Sequence, residues 1–368
     1  MKIGFDAKRI FHNTTGLGNY SRDLVRIMAQ YYPENPYFLY NPKPPKINRL
    51  HISDNMKVRQ PKSYIHKKFP WVWRSKSILK DLQKDQIELY HGLTGELPFG
   101  IDKTPVKSIV TIHDLIFVHY PELYKPIDRK IYLYKFMKAA QMADKVVAIS
   151  EQTKKDIVKY LKIPEQKIEV IYQGCHHIFK EQADVSLIDR LKNKYNLPDH
   201  FILNVGTIEE RKNVFSLVKA IKDTDYQLVI VGRKTPYAQK IEAYIKINNM
   251  QSQVHFLEGL PLDELAALYQ MADIFVYPSI YEGFGIPIIE ALYSKTPVIT
   301  NKYGVFKEAG GDYTYYLEDV KNPLEIKKMI DEIYQNPDSE RINKAYQFVQ
   351  RFNDAHIAKR WNQLYHSL

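Results

Sequence analysis

The sequence contains a single cysteine, Cys175, among its 368 residues. One cysteine excludes an internal disulfide and a cysteine-ligated zinc site, which is typical of proteins from a reducing compartment. No apolar run approaches the roughly 18–20 residues that a membrane-spanning helix needs. A secretory leader is not predicted either, because Asp6, Lys8 and Arg9 occupy positions where its apolar core would lie. We therefore expect a cytoplasmic protein.

Two series of alternating strands and helices run along the chain. Apolar residues make up 45% and charged residues 26% of the sequence, which is the balance of a globular protein, and the length favours two domains. The alternation predicts parallel sheets covered by helices on both faces. The fold class is thus α/β, with two doubly wound Rossmann-like domains facing a cleft. We place the domains at residues 1–180 and 181–353, interpret the polar stretch 175–198 as the connection between them, and predict a final helix at 354–368. The strands predicted in the first domain lie at residues 2–6, 37–40, 87–91, 107–112, 145–149 and 168–172.

The positive charge is concentrated near the amino terminus. The chain has a formal charge of +11, and residues 41–80 contain eleven Lys or Arg and one acid, Asp54. Four aromatic residues are interleaved with these cations, at positions 64, 69, 71 and 73. Such a segment could lie on an anionic membrane surface, bind nucleic acid through phosphates, or form a solvated basic face. We favour the membrane surface and predict no nucleic-acid partner.

The strongest candidate site is the segment Tyr281–Glu290, which follows a predicted strand. It contains two glycines, which let the backbone approach a ligand, and a proline suited to a first helical turn: Gly283, Gly285 and Pro287. The helix start offers free N–H groups, a natural seat for a diphosphate. Glu282 and Glu290 flank this seat, and we expect their carboxylates to accept hydrogen bonds from sugar hydroxyls.

Three further candidates stand near other predicted strand ends, where open parallel sheets bind ligands. Arg211 and Lys212 follow the strand that ends at Gly206, and together they suit a diphosphate leaving group. His113 follows an apolar strand and is placed to contact a sugar hydroxyl. The loop Thr15–Tyr20 contains Gly16 and Gly18 and is expected to bring backbone amides to a phosphate or sugar.

Together these segments resemble the retaining glycosyltransferases of family GT4, the group 1 glycosyltransferases. The resemblance extends over nearly the whole chain. It rests on residues 204–207, 211–213, 254–259, 277–279 and 282–290, and in the first half on residues 16–20, 113–114 and 148–150. One pair is set aside: Asp223 and Asp225 imitate the metal-binding Asp-x-Asp of other sugar transferases, but they precede a strand, and we interpret them as a polar turn.

The resemblance implies a GT-B fold, a nucleotide-sugar donor, retention at the anomeric carbon, and no metal or other cofactor. It implies that Glu290 holds the ribose, Glu282 the donor sugar, and Arg211 with Lys212 the diphosphate, while His113 contacts the transferred sugar. The side chains expected to take part in catalysis are therefore His113, Arg211, Lys212 and Glu282. The remaining donor-binding candidates are backbone positions: Gly16, Gly18, Gly206, Gly283, Phe284 and Gly285. The final helix is expected to cross back to the first domain, which would bind the acceptor.

The opening residues, Lys2–Arg9, are most similar to mannosyltransferase-like members. The expected donor is therefore GDP-mannose, with a UDP-sugar next, and the acceptor a glycan or lipid-linked glycan of cell-surface polysaccharide biosynthesis. The enzyme would work in the cytoplasm, peripheral at the inner face of the membrane. Two other readings stay open: a nucleotide-sugar epimerase on the same fold, and a non-enzymatic basic protein that binds lipid or RNA.

Overall fold

The computed structural model describes residues 1–368 as two compact units. Unit 1 consists of Met1–Gln173 together with Asp354–Leu368, and unit 2 of Gly174–Asn353. The turn His177–Lys180, which the sequence analysis assigned to the first domain, groups with unit 2. Its Phe179 is buried and packs against Tyr269, with 5.8 Å between the ring centroids.

Unit 1 is a seven-stranded sheet in which each strand pairs in parallel with its neighbours, in the order β3-β2-β1-β4-β5-β6-β7. The strands are β1 (Ile3–Asp6), β2 (Tyr37–Tyr40), β3 (Met56–Arg59), β4 (Leu89–Gly92), β5 (Lys107–Ile112), β6 (Lys145–Ala148) and β7 (Ile168–Val170). The helices are α1 (Lys8–His12), α2 (Gly16–Tyr31), α3 (Tyr64–Lys68), α4 (Pro70–Val72), α5 (Ile78–Asp85), α6 (Ile116–His119), α7 (Pro126–Met142) and α8 (Glu151–Asp156). Buried apolar residues cover both faces, as a parallel sheet requires.

Unit 2 repeats this plan with six parallel strands in the order β10-β9-β8-β11-β12-β13. Its strands are β8 (Ile202–Val205), β9 (Leu228–Val231), β10 (Val254–Leu257), β11 (Ile274–Tyr277), β12 (Val298–Asn301) and β13 (Tyr315–Leu317). Its helices are α9 (Val185–Tyr195), α10 (Val214–Ala220), α11 (Ala238–Ile247), α12 (Leu262–Met271), α13 (Ile286–Tyr293), α14 (Phe306–Gly310), α15 (Pro323–Gln335) and α16 (Ser339–Val349). None of the chain's helices has the length and apolar character needed to cross a bilayer.

The last helix, α17 (Asp354–His366), returns to unit 1 and packs on α2. Its Trp361 is buried, with its ring centroid 4.7 Å from that of His91 on β4. The Tyr365 hydroxyl lies 2.9 Å from His91 Nδ1, and His91 Nε2 lies 2.8 Å from Thr111 Oγ1. Burial lowers the pKa of His91 to about 3, so this polar link is uncharged at neutral pH.

Three local predictions were wrong. Strand β3 was missed because it is short and alternates charged with apolar residues at the sheet edge. Helix α9 lies in a segment interpreted as a connection, although Asp184 caps it and Leu187 and Leu191 bury one face. Gly16 and Gly18 belong to the first turns of α2 rather than to a loop before it.

Candidate functional site

The candidate site of unit 2 lies where β8 and β11 end side by side. The strand order reverses between these two neighbours, because β9 and β10 lie on one side of them and β12 and β13 on the other. At such a switch point the loops leaving the two strands diverge and open a crevice for ligands. Two hydrogen bonds join the loop after β8 to the loop after β11. The Ile280 amide donates to the Arg211 carbonyl over 2.9 Å, and the Arg211 guanidinium donates to the Tyr281 carbonyl.

Arg211, Lys212 and Glu282 form one ion cluster at this crevice. Lys212 Nζ lies 2.6 Å and Arg211 Nη1 2.9 Å from the same oxygen, Glu282 Oε1. The hydroxyl of the buried Ser279 donates to that oxygen as well, over 2.5 Å. The structure thus brings together three of the four side chains that the sequence analysis proposed for catalysis.

The electrostatics of the cluster follow from burial opposed by mutual attraction. Burial alone would raise the pKa of Glu282, but the charges of Lys212 and Arg211 hold it at about 2. Burial lowers the pKa of Lys212 despite the attraction of Glu282. The pKa of Arg211 is raised, because Glu282 and Glu209 outweigh its burial. Glu282 is therefore ionised at neutral pH, and it is the carboxylate that both Arg211 and Lys212 contact; Arg211 also pairs with Glu209, 2.5 Å away.

Tyr277, the last residue of β11, fixes the position of the Lys212 ammonium. Its hydroxyl accepts a hydrogen bond from Lys212 Nζ over 2.6 Å, and Nζ lies 4.9 Å from the centre of its ring. Gly206, with φ at +152°, lies beside the same side chain, and this backbone angle rather than a lack of space favours glycine. A Cβ at that position would stand 3.7 Å from Cδ and Cε of Lys212.

The segment after β11 folds back into α13, with Gly285 as the residue before the helix. Gly285 has φ at +121°, a value that favours glycine, and a Cβ there would come within 3.3 Å of Ile288. Pro287 lies in the first turn, as predicted. The Phe284 side chain is buried against Phe352, with ring centroids 5.6 Å apart, so only its backbone is placed to meet a ligand.

Glu290 lies one turn into α13, and the hydrogen-bond partner of its side chain lies outside the ion cluster. Its Oε2 accepts a hydrogen bond from the Tyr269 hydroxyl over 2.8 Å. Burial raises the pKa of Glu290 to about 7, and the hydrogen bond from Tyr269 only partly opposes this. The carboxyl group is thus divided between its two protonation states at neutral pH.

His113 and the two glycines belong to unit 1. His113 follows β5 and is buried, with Nε2 2.9 Å from the Leu93 carbonyl, to which it must donate. Burial lowers its pKa to about 4, so the ring is neutral and Nδ1, 3.4 Å from Gln173 Nε2, is its acceptor. The position of Asn13 accounts for the glycine at position 18, because a Cβ on residue 18 would stand 2.0 Å from the Asn13 carbonyl oxygen.

Gly16 differs from Gly18, because a Cβ at Gly16 would meet nothing within 4 Å. Open space at the start of α2 is consistent with the predicted approach of a ligand. Asp223 lies in a turn and Asp225 in the irregular segment just before β9, and both are exposed, as predicted for a polar turn. No group of three or more His, Cys, Asp or Glu side chains is placed to hold a metal ion.

Sequence reasoning missed three residues that complete the candidate site: Tyr269, Tyr277 and Ser279. Tyr277 and Ser279 stand at the end of a strand and in the loop after it, so the rule that located Glu282 could have found them. Tyr269 lies within α12, 21 positions before Glu290. No pattern in the sequence links those two residues.

Comparison with known proteins supports the predicted family. A sequence model for glycosyl transferases group 1 matches residues 187–349, and one for glycosyltransferase family 4 matches residues 16–177. The O-antigen chain mannosyltransferase RfbU of Salmonella typhimurium is 30% identical over 249 residues, which are 66% of this chain and 65% of that protein. O-antigen chain mannosyltransferase B of Escherichia coli is 27% identical over 338 residues, 85% of each chain. The match to the serotype-specific mannosyltransferase WbdA of Escherichia coli, at 28% identity, covers 73% of this chain but 35% of that protein.

Solved structures share the fold at lower sequence identity. Sucrose-phosphate synthase from Thermosynechococcus elongatus is 20% identical, with a TM-score of 0.81 over 100% of this chain and 98% of that one. Anabaena HepE, solved in complex with UDP-glucose, is 16% identical, with a TM-score of 0.74 over 100% of both chains. Both the predicted fold class and the predicted family are confirmed: the chain belongs to the group 1 glycosyltransferases of family GT4, and its fold is GT-B.

Proposed function

We propose that this chain is a retaining, metal-independent hexosyltransferase that moves a hexose from a nucleotide sugar to a glycan or lipid-linked acceptor in cell-surface polysaccharide biosynthesis. The cluster of Arg211, Lys212 and Glu282 at the switch point of unit 2 carries the proposal. Arg211 and Lys212 converge on Glu282, and Arg211 also pairs with the partly exposed Glu209. Both cations are therefore held together where a diphosphate could replace these carboxylates. A diphosphate is the anion that suits a guanidinium fork beside an ammonium.

A donor diphosphate would take over the contacts that Arg211 and Lys212 make to Glu282. As the bond between the sugar C1 and the phosphate oxygen breaks, its electron pair stays on the oxygen, and the two cations stabilise the added charge. The acceptor hydroxyl attacks C1 from the face that the leaving group vacates, which retains the anomeric configuration. Its proton passes to an oxygen of the leaving phosphate. The two cations thus supply the positive charge that a metal ion would otherwise provide.

Glu282, released from the cations, then accepts hydrogen bonds from the hydroxyls of the donor sugar. Glu290 accepts hydrogen bonds from the ribose, and Gly206, Gly283 and Gly285 let the backbone approach the phosphates. In unit 1, His113 contacts a hydroxyl of the transferred sugar through Nδ1, in exchange for the hydrogen bond that this atom accepts from Gln173. Gly16 lets the start of α2 approach that sugar.

GDP-mannose is the first donor that we propose, and a UDP-sugar the second. RfbU and mannosyltransferase B, two relatives that match this chain, are mannosyltransferases of O-antigen chains. HepE, which shares the fold, was solved with UDP-glucose. Work on the cytoplasmic side of a membrane suits an acceptor held on a lipid. Tyr64 and Trp71 in the basic segment 41–80 are 79% and 70% exposed, which supports peripheral attachment.

The proposal is tested by thermal shift against GDP, UDP and ADP, followed by transfer assays with the sugar form of the nucleotide that stabilises most. We expect GDP to raise the melting temperature most and GDP-mannose to support transfer to a mannosylated acceptor. Isomerisation of the donor sugar without any acceptor would instead identify an epimerase. Vesicle co-sedimentation checks attachment: binding should need anionic lipid and weaken with salt.

A further inference from the structure

The sheet of unit 1 also has a switch point, and a cavity of about 590 Å³ opens there. The strand order reverses between β1 and β4, which pair directly. The cavity is lined by Asp6 at the end of β1 and by residues 96–99, which follow β4. Its size is that of a pocket for one small molecule. The residues proposed above for the donor do not line it.

Charge in this cavity is unbalanced. Arg74 at its floor is paired with both lining acids, Asp6 and Glu96, and Lys135 Nζ lies 3.7 Å from Glu96. Three more cations line the cavity, and none of them lies within ion-pairing distance of a carboxylate: Lys8, Lys43 and Lys68. Burial and the repulsion of Arg74 lower the pKa of Lys8. The cavity therefore favours an anion.

The remaining lining is apolar. Two exposed aromatic rings, Trp71 and Phe99, stand at the cavity beside buried proline and leucine residues. One side is formed by α4 with the end of α3, and the other by the last turns of α7. The same helices carry exposed aliphatic side chains, Ile65 on α3 and Ile127 and Ile131 on α7. A free glycan needs no such aliphatic surface, whereas a hydrocarbon chain does.

We propose that this cavity binds an amphiphilic phosphate ester, a mono- or diphosphate that carries a hydrocarbon chain. The phosphate contacts Lys8, Lys43 and Lys68, and the first carbons of the chain lie against Trp71 and Phe99. The chain then leaves along α3 and α7 towards a membrane surface. In one respect this rests on the proposed function: the amphiphile is taken to be the carrier of the sugar acceptor.

The test uses the full chain, with farnesyl diphosphate as the probe. Trp71 is the exposed one of three tryptophans, since Trp73 and Trp361 are buried, so its fluorescence reports on binding and Trp71→Phe removes the signal. Inorganic diphosphate and farnesol are the matched probes without chain and without charge. Farnesyl diphosphate should bind at least about tenfold more tightly than either, and each of Lys8→Gln, Lys43→Gln and Lys68→Gln should weaken it about fivefold.

Phe99→Ser should weaken farnesyl diphosphate and leave inorganic diphosphate unchanged, while Lys246→Gln, at an exposed lysine on α11 of unit 2, should change neither. Equal affinity for farnesyl diphosphate and diphosphate would mean a simple anion site, and equal affinity for farnesol a simple apolar one; either overturns the proposal. So does binding that the lysine variants do not alter. Titration of GDP and UDP in parallel against variants of Arg211 and Lys212, which do not line this cavity, tests the donor site, so its failure is distinct from failure of this cavity.

Discussion

The switch points of the two sheets carry charge in opposite ways. In unit 2, two cations converge on one carboxylate oxygen, and Ser279 and Tyr277 complete the set of hydrogen bonds. In unit 1, the paired groups lie at the floor of a cavity, and three lysines around them have no acid partner. The same topology thus provides one compact ion cluster and one open, positively charged cavity.

The difference indicates how each site would gain affinity. The cluster of unit 2 already holds its cations in position through Glu282, so a diphosphate meets donors that need little reorganisation. The cavity of unit 1 keeps its cations apart on long side chains, which an incoming phosphate must order at an entropic cost. We expect the first site to discriminate by geometry and the second by charge and apolar contact.

Replacement of either cation in unit 2 should cause the largest loss of transfer, and it tests whether the cluster of unit 2 binds the leaving phosphate. We expect Arg211→Ala and Lys212→Ala each to lower the transfer rate about 10²–10³-fold, because each removes charge stabilisation from the leaving phosphate. Lys219→Ala is the matched control, since Lys219 stacks on Phe215 in α10 at 4.4 Å and is not part of the cluster. Transfer at the wild-type rate with a lowered melting temperature would reduce the cluster to a structural ion pair.

Glu282→Gln should separate two roles of the cluster, the binding of the phosphates by its cations and the contact of Glu282 with the donor sugar. Loss of the carboxylate frees Arg211 and Lys212, so we expect GDP or UDP alone to bind more tightly than to the wild type. Transfer should nevertheless fall about 10–100-fold, because a charge-assisted hydrogen bond to the sugar is lost. Titration calorimetry and initial rates measure the two effects. Weaker binding of the bare nucleotide would show that Glu282 holds the two cations in position for the phosphates more than it competes with the phosphates for them.

Glu290 predicts a pH dependence that the ion cluster does not share. Its pKa of about 7 lies above the ordinary value of 4.5, so the folded state binds more protons than the unfolded state between those values. Stability should therefore fall as pH rises from about 4.5 to 7. Nucleotide affinity should rise with pH by up to about tenfold per unit below the pKa and level off above it, because the ribose needs the ionised acceptor.

The control for this behaviour is Glu290→Gln, which should flatten both pH profiles. Tyr269→Phe removes the hydrogen bond that favours the ionised form, so it should move the rise in affinity to higher pH. A wild-type affinity that is constant between pH 6 and 8 would contradict the assignment of Glu290 to the ribose.

The predictability of the two switch points from sequence also differs. Arg211, Lys212 and Glu282 are close in sequence to buried strands, so the rule that ligands meet strand ends was enough to bring them together. The cavity of unit 1 depends on Arg74, in an irregular helical segment, and on Lys135, deep in α7. Neither follows a strand, and only tertiary packing places Arg74 beside Asp6 and Lys135 beside Glu96.

The exposure of the aromatic residues in segment 41–80 was also only partly predictable from the sequence. The basic segment 41–80 was interpreted as a surface with interleaved aromatic rings, and Tyr64, Phe69 and Trp71 are exposed as that requires. Trp73, two positions after Trp71, is buried and donates its indole N–H to Asp81 over 2.6 Å. The π-helical turn Trp73–Ser77 changes the helical phase at this point, which a regular 3.6-residue pattern does not anticipate.

Substitution of Ser279 tests how strongly transfer depends on the exact position of the Glu282 carboxylate. Ser279→Ala removes one neutral donor from Glu282 and leaves both cations, so we expect a loss of transfer of about two- to tenfold. Since the hydroxyl acts on Glu282 rather than on the phosphates, the loss should appear with the sugar nucleotide and not in binding of GDP or UDP. Ser294→Ala, whose hydroxyl donates to a backbone carbonyl at the end of α13, is the matched control. If both variants behave alike, the precise placement of Glu282 is not what limits transfer, and the contrast between the two switch points is one of net charge alone.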